Sequence, residues 1–577
     1  MRVTFASLGQ EQLSISLLSA VLQREGHETA LAYNPALFDD RYFLDLPALA
    51  AIYDRTDQLI DEIVAGRPDL LAFSVLTPVY QWCLHVAQAV KARIDVPVIL
   101  GGVHPSAVPE ICLENDCVDY VCVGEGETAL VALCEALEGG AHRPKAPIPN
   151  LWWRDGDRLV QGPAAAFEAD LDSLPHWDKD LWHPHIRIAD NWLTMTSRGC
   201  PYRCTFCFNN FFAKIPGKGG GRYLRQRSVE HVMEELTEAK ARWGIRRVDF
   251  EDDIFTTDKA WLRTFLGEYK REIDVPFQCL VHPRYIDDDM ARWLKDAGCQ
   301  HVQMGVQSAD EEFKRKQLLR MEKDAHLQRS LACLAAAGLD TKLDHILGLP
   351  GEPLSAQERA REIYAAYPPR RIQTFWLTHL PGIELTKAAV ASGDLSAEDY
   401  ERVNRGETGR FHTRGSKSAQ DAMTYRRYEV LFRLLPVLPR PLQRRLRLHH
   451  IPKMSASVAQ LVGVVLELVN TLVNRDAEAF NYARHYRHQL RRQTPAVLRR
   501  LRHRDLRAEL RERRRHGDGR ANLGSFGSPR VPTAAEAPPP AATAPEPTLL
   551  LPDPTLVAIT PRRTEPAGGS GRRAFPT

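Results

Sequence analysis

The chain has almost no excess of either charge: 76 Lys and Arg face 73 Asp and Glu across 577 residues, a formal net charge of +3. That balance excludes a molecule built as a whole around nucleic acid. Long apolar runs are also missing. The best stretch, Leu461 to Val473, is broken by Glu467. It falls short of the roughly 18 residues that a spanning helix needs and is expected to be a buried or interfacial helix. The opening Met1-Arg2-Val3-Thr4-Phe5-Ala6-Ser7-Leu8 has an apolar strand but no basic segment leading into an apolar stretch, so it does not read as a signal peptide. Cysteine is absent before Cys83 and after Cys333, and the 11 present are odd in number. That pattern does not look like a disulfide framework and fits a reducing cytoplasm. The expected location is therefore cytoplasmic, with room for peripheral contact with a membrane.

At this length two to four domains are expected. Through residue 143, strand patterns at Val3–Ala6, Thr29–Tyr33, Leu70–Val75, Pro97–Leu100 and Tyr120–Val123 alternate with helical ones. The alternation predicts an α/β fold, a doubly wound parallel sheet that takes ligands at the carboxyl ends of its strands. Residues 144–189 are rich in Pro and Trp with weak periodicity and read as an ordered connector. A second α/β series over 190–395 has strands at Trp192–Thr196, Arg247–Glu251, Phe277–Val281, His301–Gly305, Lys342–Leu347 and Gln373–Thr378. Six strand–helix units fit an open partial barrel better than a closed one of eight. Ser228 is placed to cap a helix that Gly244 stops. Residues 396–515 read as a helical extension, with eleven Arg against three acids from Arg491 to Arg515. Residues 516–577, rich in Pro, Ala, Gly and Ser, read as a disordered tail.

The chemistry concentrates in Ser197-Arg198-Gly199-Cys200-Pro201-Tyr202-Arg203-Cys204-Thr205-Phe206-Cys207-Phe208-Asn209. Three thiols in one compact loop, with no fourth beside them, suit a four-iron cluster with one iron left open to a ligand. A structural zinc loop is the alternative. Zinc prefers four ligands from paired knuckles, and no second knuckle lies downstream, although His231 could serve. The C-x3-C-x2-C spacing with its aromatic neighbours resembles the signature of the radical S-adenosylmethionine superfamily. In that family the open iron chelates S-adenosylmethionine, whose reductive cleavage yields a 5′-deoxyadenosyl radical. The resemblance implies a 4Fe-4S cluster on Cys200, Cys204 and Cys207. It places Phe206, Glu251, Asp252, Asp253, Arg284, Gln307 and Ser308 around S-adenosylmethionine, the acids near its ammonium and Arg284 near its carboxylate. Gln307 stands where relatives often carry Glu. The turns Gly348-Leu349-Pro350-Gly351-Glu352 and Leu380-Pro381-Gly382 also follow the family pattern.

Three loops of the first domain agree in order and spacing: Leu8-Gly9-Gln10-Glu11-Gln12-Leu13, Gly101-Gly102-Val103-His104-Pro105 and Gly124-Glu125-Gly126-Glu127. Strand-end glycines let the backbone approach a flat ligand closely, though ordinary turns of an unliganded sheet also use them. Together they resemble the cobalamin-binding domain found ahead of many such barrels, a flavodoxin-like sheet. The resemblance implies corrinoid contacts from Gln10, Glu11, Gln12, Ser74, Thr77, Gly101, Gly102, His104, Gly124, Glu125 and Gly126. Many cobalamin domains supply a cobalt-ligating histidine from the first loop, but the first histidine here is His27. Binding without histidine is expected, with Gln10, Glu11 or Gln12 near the lower face. His104 is better placed than His27 to face a ligand.

The resemblance implies methyl transfer to an unactivated carbon. The alternatives are a radical oxidoreductase or cyclase of the kind that acts on porphyrin esters or hopanoids, and a non-catalytic iron–sulfur or cobalamin sensor. The expected partners are a small molecule, with apolar and tetrapyrrole substrates included, and an electron donor such as flavodoxin or ferredoxin. Nucleic acid is not expected; the arginine run reads as a solvated helix face. Replacing Cys204 with Ala should abolish both bound iron and cleavage of S-adenosylmethionine. Unchanged iron content and cleavage rate would refute the ligand assignment.

Overall fold

Strands buried on both sides need helices on both faces, and the first domain meets that need by alternation. The computed structural model describes residues 1–503 except 41–43, 140–142, 218, 408–414 and 417. These belong to one unit, Met1–Pro529. The expected tail and residues 504–515 of the arginine run lie outside the described residues.

β1 (Arg2–Leu8), β2 (Glu28–Asn34), β3 (Leu70–Ser74), β4 (Val98–Gly101) and β5 (Tyr120–Cys122) pair in parallel in the order β2-β1-β3-β4-β5. The order reverses between β1 and β3, which opens a crevice at their carboxyl ends. Successive residues face opposite cores. Phe5, Ile99 and Tyr120 meet α1 (Leu13–Arg24) and α4 (Glu127–Leu137) through Ile15, Leu22 and Leu133. Phe73, Leu100 and Val121 meet α2 (Thr56–Gly66) and α3 (Tyr80–Lys91) through Leu59, Val86 and Val90.

The segment read as a connector contributes strands. β6 (Leu151–Asp155) pairs antiparallel with β5, and β7 (Arg158–Gln161) with β6. Gly156, at φ +62°, turns the hairpin. The two-residue loop Gly156-Asp157 is a hairpin signal that the surrounding prolines and tryptophans obscured.

β8 (Trp192–Thr194), β9 (Val248–Phe250), β10 (Phe277–Val281), β11 (Cys299–Gln307), β12 (Asp340–Leu347) and β13 (Arg371–Trp376) then pair in sequence order, all parallel. α5 (Val229–Trp243), α6 (Lys259–Glu272), α7 (Asp288–Asp296), α8 (Asp324–Ala336) and α9 (Ser355–Ala366) fall between them. Ser228 caps α5 by accepting from the His231 amide at 3.0 Å, and Gly244 ends it at φ +60°. Residues of all six strands, from Leu193 on β8 to Phe375 on β13, line one cavity. The sheet therefore curls into a partial barrel, and among the described residues no pairing joins β13 to β8.

The C-terminal helices are α10 (Ala419–Leu434), α11 (Ala456–Asn474) and α12 (Ala477–His503). α12 crosses to the first domain, where Tyr486 Oη accepts from the Phe38 amide at 2.7 Å. It also reaches residues 144–189, where Gln489 Nε2 donates to the His185 carbonyl at 2.6 Å. α11 is longer than the apolar run suggested. Its 19 residues make it long and apolar enough to cross a membrane by length and composition, and only 17% of that window is buried.

Two of the buried histidines, His104 and His345, are fully enclosed in this scaffold. His104 lies 3.2 Å from Thr77 Oγ1 and packs on Tyr80. His345 lies 2.8 Å from Tyr364 Oη and 2.9 Å from Gln357 Oε1. Burial pushes His104 down to about 3 and His345 down to about 4. Unfolded histidine titrates near 6.5. Their contribution to stability is therefore complete above that pH and declines as pH falls from there toward the folded values, by up to about 1.4 kcal/mol per pH unit for each. Urea midpoints should fall between pH 6 and 5, and less steeply in His104→Gln; equal slopes would exclude His104 as a source.

Candidate functional site

The cysteine loop leaves β8 and is fixed before it reaches its first thiol. Asp252, fully buried after β9, accepts from the Thr196 amide at 3.0 Å, Thr196 Oγ1 at 2.7 Å and Ser197 Oγ at 2.5 Å. Ser197–Arg198 pairs antiparallel with Arg225–Gln226. Gly199 follows at φ +89°, pressed against the Tyr223 carbonyl where no side chain fits. Further along, the Thr205 amide donates to the Leu318 carbonyl at 3.1 Å, and the Leu385 amide donates to the Thr205 carbonyl at 2.9 Å.

Cys200, Cys204 and Cys207 are free, half-buried thiols in this loop. Burial pushes Cys200 up to about 12 and Cys204 up to about 11, the latter against the pull of Arg320. Burial raises Cys207 as well. Such thiols stay protonated until a metal displaces the proton. Among the described residues no three His, Cys, Asp or Glu form a group that could hold a metal ion. The thiol set suits ligands bound to separate irons better than a shared zinc. His231 is held 3.0 Å from Arg227 Nε and 3.3 Å from Asp172.

A cavity of about 520 Å³ lies between the crevice of the first sheet and this loop. Gln12, Ser74, Gly101, Gly102, Gly124, Glu125 and Gly126 line it from the sheet, and Gly199, Asn209 and Asp253 from the barrel. At Gly102, φ +98°, a Cβ would stand 2.9 Å from the Val75 amide nitrogen. Gly101, Gly102, Gly124 and Gly126 keep side chains off much of the sheet side of the cavity, and a flat corrinoid fits against it. Gln12 Nε2 donates to Ser7 Oγ at 3.2 Å. Gln10 and Glu11 line a different cavity, and Glu11 pairs with buried Lys179 at 2.6 Å. His104 and Thr77 line neither. The short helix Val103–Ala107 turns His104 into the core, so the expectation that it faces a ligand does not match its place.

The acids after β9 diverge. Asp253 faces the first cavity, its Oδ1 accepting from Asn209 Nδ2 at 2.7 Å. Glu251 lines the second, and Asp252 is spent on the loop. Phe206 packs beside Leu349 and Leu385. Gln307, at φ +66°, ends β11, and Ser308 is buried with its Oγ accepting from the Asp310 amide at 3.4 Å. Neither lines either of the two cavities, and Arg284 is exposed.

Arg320 was missed. It is buried, donating from Nε to Glu322 Oε1 at 2.8 Å and from Nη2 to the Gly305 carbonyl at 2.8 Å. Its charge acts on Cys204. Although burial opposes ionisation, His282, Arg320 and Lys314 together hold Glu322 well below the usual carboxylate range. His282 in turn stacks on Tyr202 at 4.3 Å. The only sequence signal was the Arg320-Met321-Glu322 pairing.

The second cavity, about 630 Å³, is the barrel interior. Asp249, Glu251, Gln278, Gln303, Lys342 and Gln373 bring polar groups into it beside Leu193, Leu280 and Phe375, and Tyr482, His485 and Tyr486 of α12 complete its wall.

Residues 4–134 match the B12 binding domain, and residues 194–363 match the radical SAM superfamily. An uncharacterized methyltransferase of Pyrococcus horikoshii is 26% identical over 399 residues, covering 68% of this chain and 81% of that protein. The anaerobic magnesium-protoporphyrin IX monomethyl ester cyclase of Rubrivivax gelatinosus is 23% identical, covering 66% of this chain and 67% of that one. The structure of the cobalamin-dependent S-adenosylmethionine radical enzyme OxsB, with aqua-cobalamin and S-adenosylmethionine bound, superposes with a TM-score of 0.59 at 16% identity over 86% of this chain and 84% of that one. That of the radical S-adenosylmethionine methyltransferase TsrM from Kitasatospora setae, with cobalamin and a [4Fe-4S] cluster, gives 0.54 at 20% identity over 68% and 78%. At such identities the likeness is one of fold. With its B12-binding domain ahead of a radical SAM barrel, the chain belongs to the radical S-adenosylmethionine superfamily, an enzyme class whose cofactors here are a 4Fe-4S cluster, S-adenosylmethionine and cobalamin.

Proposed function

We propose that the protein methylates an unactivated carbon of a small molecule. The observation that carries this reading is the cavity between the glycine floor of the first sheet and the cysteine loop, where both cofactors can reach one reacting carbon. The cluster, when bound, supplies the electron that cleaves S-adenosylmethionine, and cobalamin carries the methyl group. In this reading Cys200, Cys204 and Cys207 bind the cluster. Asp253 attracts the ammonium of S-adenosylmethionine, and Arg320, in place of exposed Arg284, pairs with its carboxylate. Gln12, which lines the same cavity, would face the corrinoid. Glycines 101, 102, 124 and 126 seat the ring, and the strap of α12 shields the barrel interior from water.

The net reaction consumes two S-adenosylmethionine and two electrons from a flavodoxin or ferredoxin. It returns methylated product, 5′-deoxyadenosine, methionine and S-adenosylhomocysteine. A cyclase or oxidoreductase, favoured by the likeness to the Rubrivivax protein, would form no S-adenosylhomocysteine. We also infer a peripheral place at a membrane, from the exposed apolar face of α11.

Anaerobic reconstitution with iron, sulfide and hydroxocobalamin, then reduction and S-adenosylmethionine, should yield 5′-deoxyadenosine and S-adenosylhomocysteine by mass spectrometry. Deoxyadenosine without retained cobalamin would overturn the methylation reading and leave the barrel chemistry. Arg320→Gln should keep its iron yet lose about tenfold or more in cleavage, the scale of one charge-assisted contact. Arg284→Gln should cleave at the parent rate; the reverse order would restore the role to Arg284.

A further inference from the structure

α11 has two unlike faces. Ala459, Gly463 and Asn470 are buried, and the helix lies against α10, where Gly463 meets the guanidinium of Arg433. On the other side Val458, Leu461, Val465, Leu468, Leu472 and Val473 are exposed, Leu461 at 66% and Leu472 at 69%. At 3.6 residues per turn these fall within one arc of about 140°, and at 1.5 Å per residue the stripe runs about 23 Å along the helix. An apolar face of this size is not left to water without a use.

Charge decides what covers it. Residues 430–466 contain no Asp or Glu, and exposed Arg440, Arg444, Arg445 and Lys453 lie in that span. Arg475 closes the helix at the other end. Glu467, the one acid of α11, is turned inward onto Arg371 at 2.5 Å. The stripe is thus bracketed by cations with no acid on its outer face. Packing α11 against a second copy would set Lys453 opposite Arg475, or each opposite itself, which repels. An anionic headgroup layer answers both ends while the acyl region takes the aliphatic side chains. The helix also cannot leave to span the bilayer without breaking Glu467–Arg371 and the bonds from Asn474 Nδ2 to the Arg370 and Pro436 carbonyls, at 3.0 and 3.3 Å.

We propose that the outer face of α11 docks the enzyme, flat and one-sided, on a bilayer rich in anionic lipid. The proposal rests on the peripheral location inferred above and is independent of the reaction assigned to the barrel.

The test is flotation of the full chain with vesicles of phosphatidylglycerol and phosphatidylcholine, against vesicles of phosphatidylcholine alone, at low and high salt. Binding should be about tenfold or more tighter to the anionic vesicles and weaken with salt. Leu461→Glu with Leu468→Glu should lose it while keeping the parent melting temperature and the parent rate of S-adenosylmethionine cleavage. Equal binding to both vesicles would sink the anionic docking site and leave a peripheral location. Binding to neither would sink both. A dimer in solution that Leu468→Glu dissociates would assign the face to a second copy instead.

Discussion

One carboxylate joins the two halves of the site. Glu125, at the end of the first sheet, accepts from Arg198 at 3.0 Å and from Arg225 at 2.7 and 3.0 Å, and takes the Glu168 amide at 3.0 Å. Arg198 also reaches Glu127 at 2.6 Å. Arg198 lies two residues before Cys200 and pairs across the short ribbon with Arg225. Burial opposes the charge on Glu125, yet the two arginines hold its carboxyl below the usual range. Charges withdrawn from water persist only when paired and fully bonded, and that requirement fixes the distance between glycine floor and cysteine loop. The cavity between them is the space this clamp leaves.

Behind the clamp the barrel divides its labour by face. Phe250, Phe255, Phe265 and Phe277 stack into a core on the helix side. The interior keeps amides and charges: Gln303 Nε2 donates to Asp344 Oδ2 at 2.8 Å across neighbouring strands. The cysteine loop lies where these regimes meet. It is held by Asp252 on one flank and by the Arg320–Glu322–His282 network on the other, and its own residues contribute few of those bonds.

Much of this was legible in the chain. The five-strand alternation and the six later units follow from short apolar runs, Phe5, Phe73, Phe250 and Phe277 among them, set between helical patterns. The strand-end glycines at 102 and 124 were legible as such, and each turn does use a positive φ. What could not be read is direction beyond a strand end. Glu251, Asp252 and Asp253 are adjacent acids, and the turn sends them to the barrel interior, the loop and the junction. His104 is swung inward by a helical turn one residue after Gly102. Arg320 acquires its partner at Gly305 only by tertiary folding, so no spacing encodes it. In α11, composition showed an apolar helix, but only the position of α10 decides which side remains uncovered.

The Phe38–Tyr486 bond joins residues 448 apart. At ribosomal rates of roughly 5–20 residues per second, the first strands wait on the order of tens of seconds for the helix that straps them down. Through that interval the barrel interior lacks its last wall, because Tyr482, His485 and Tyr486 are among the final described residues to be made. Closure of the reaction chamber is thereby scheduled late in synthesis, and truncations that spare every cofactor-binding residue would still deliver a vessel without a door.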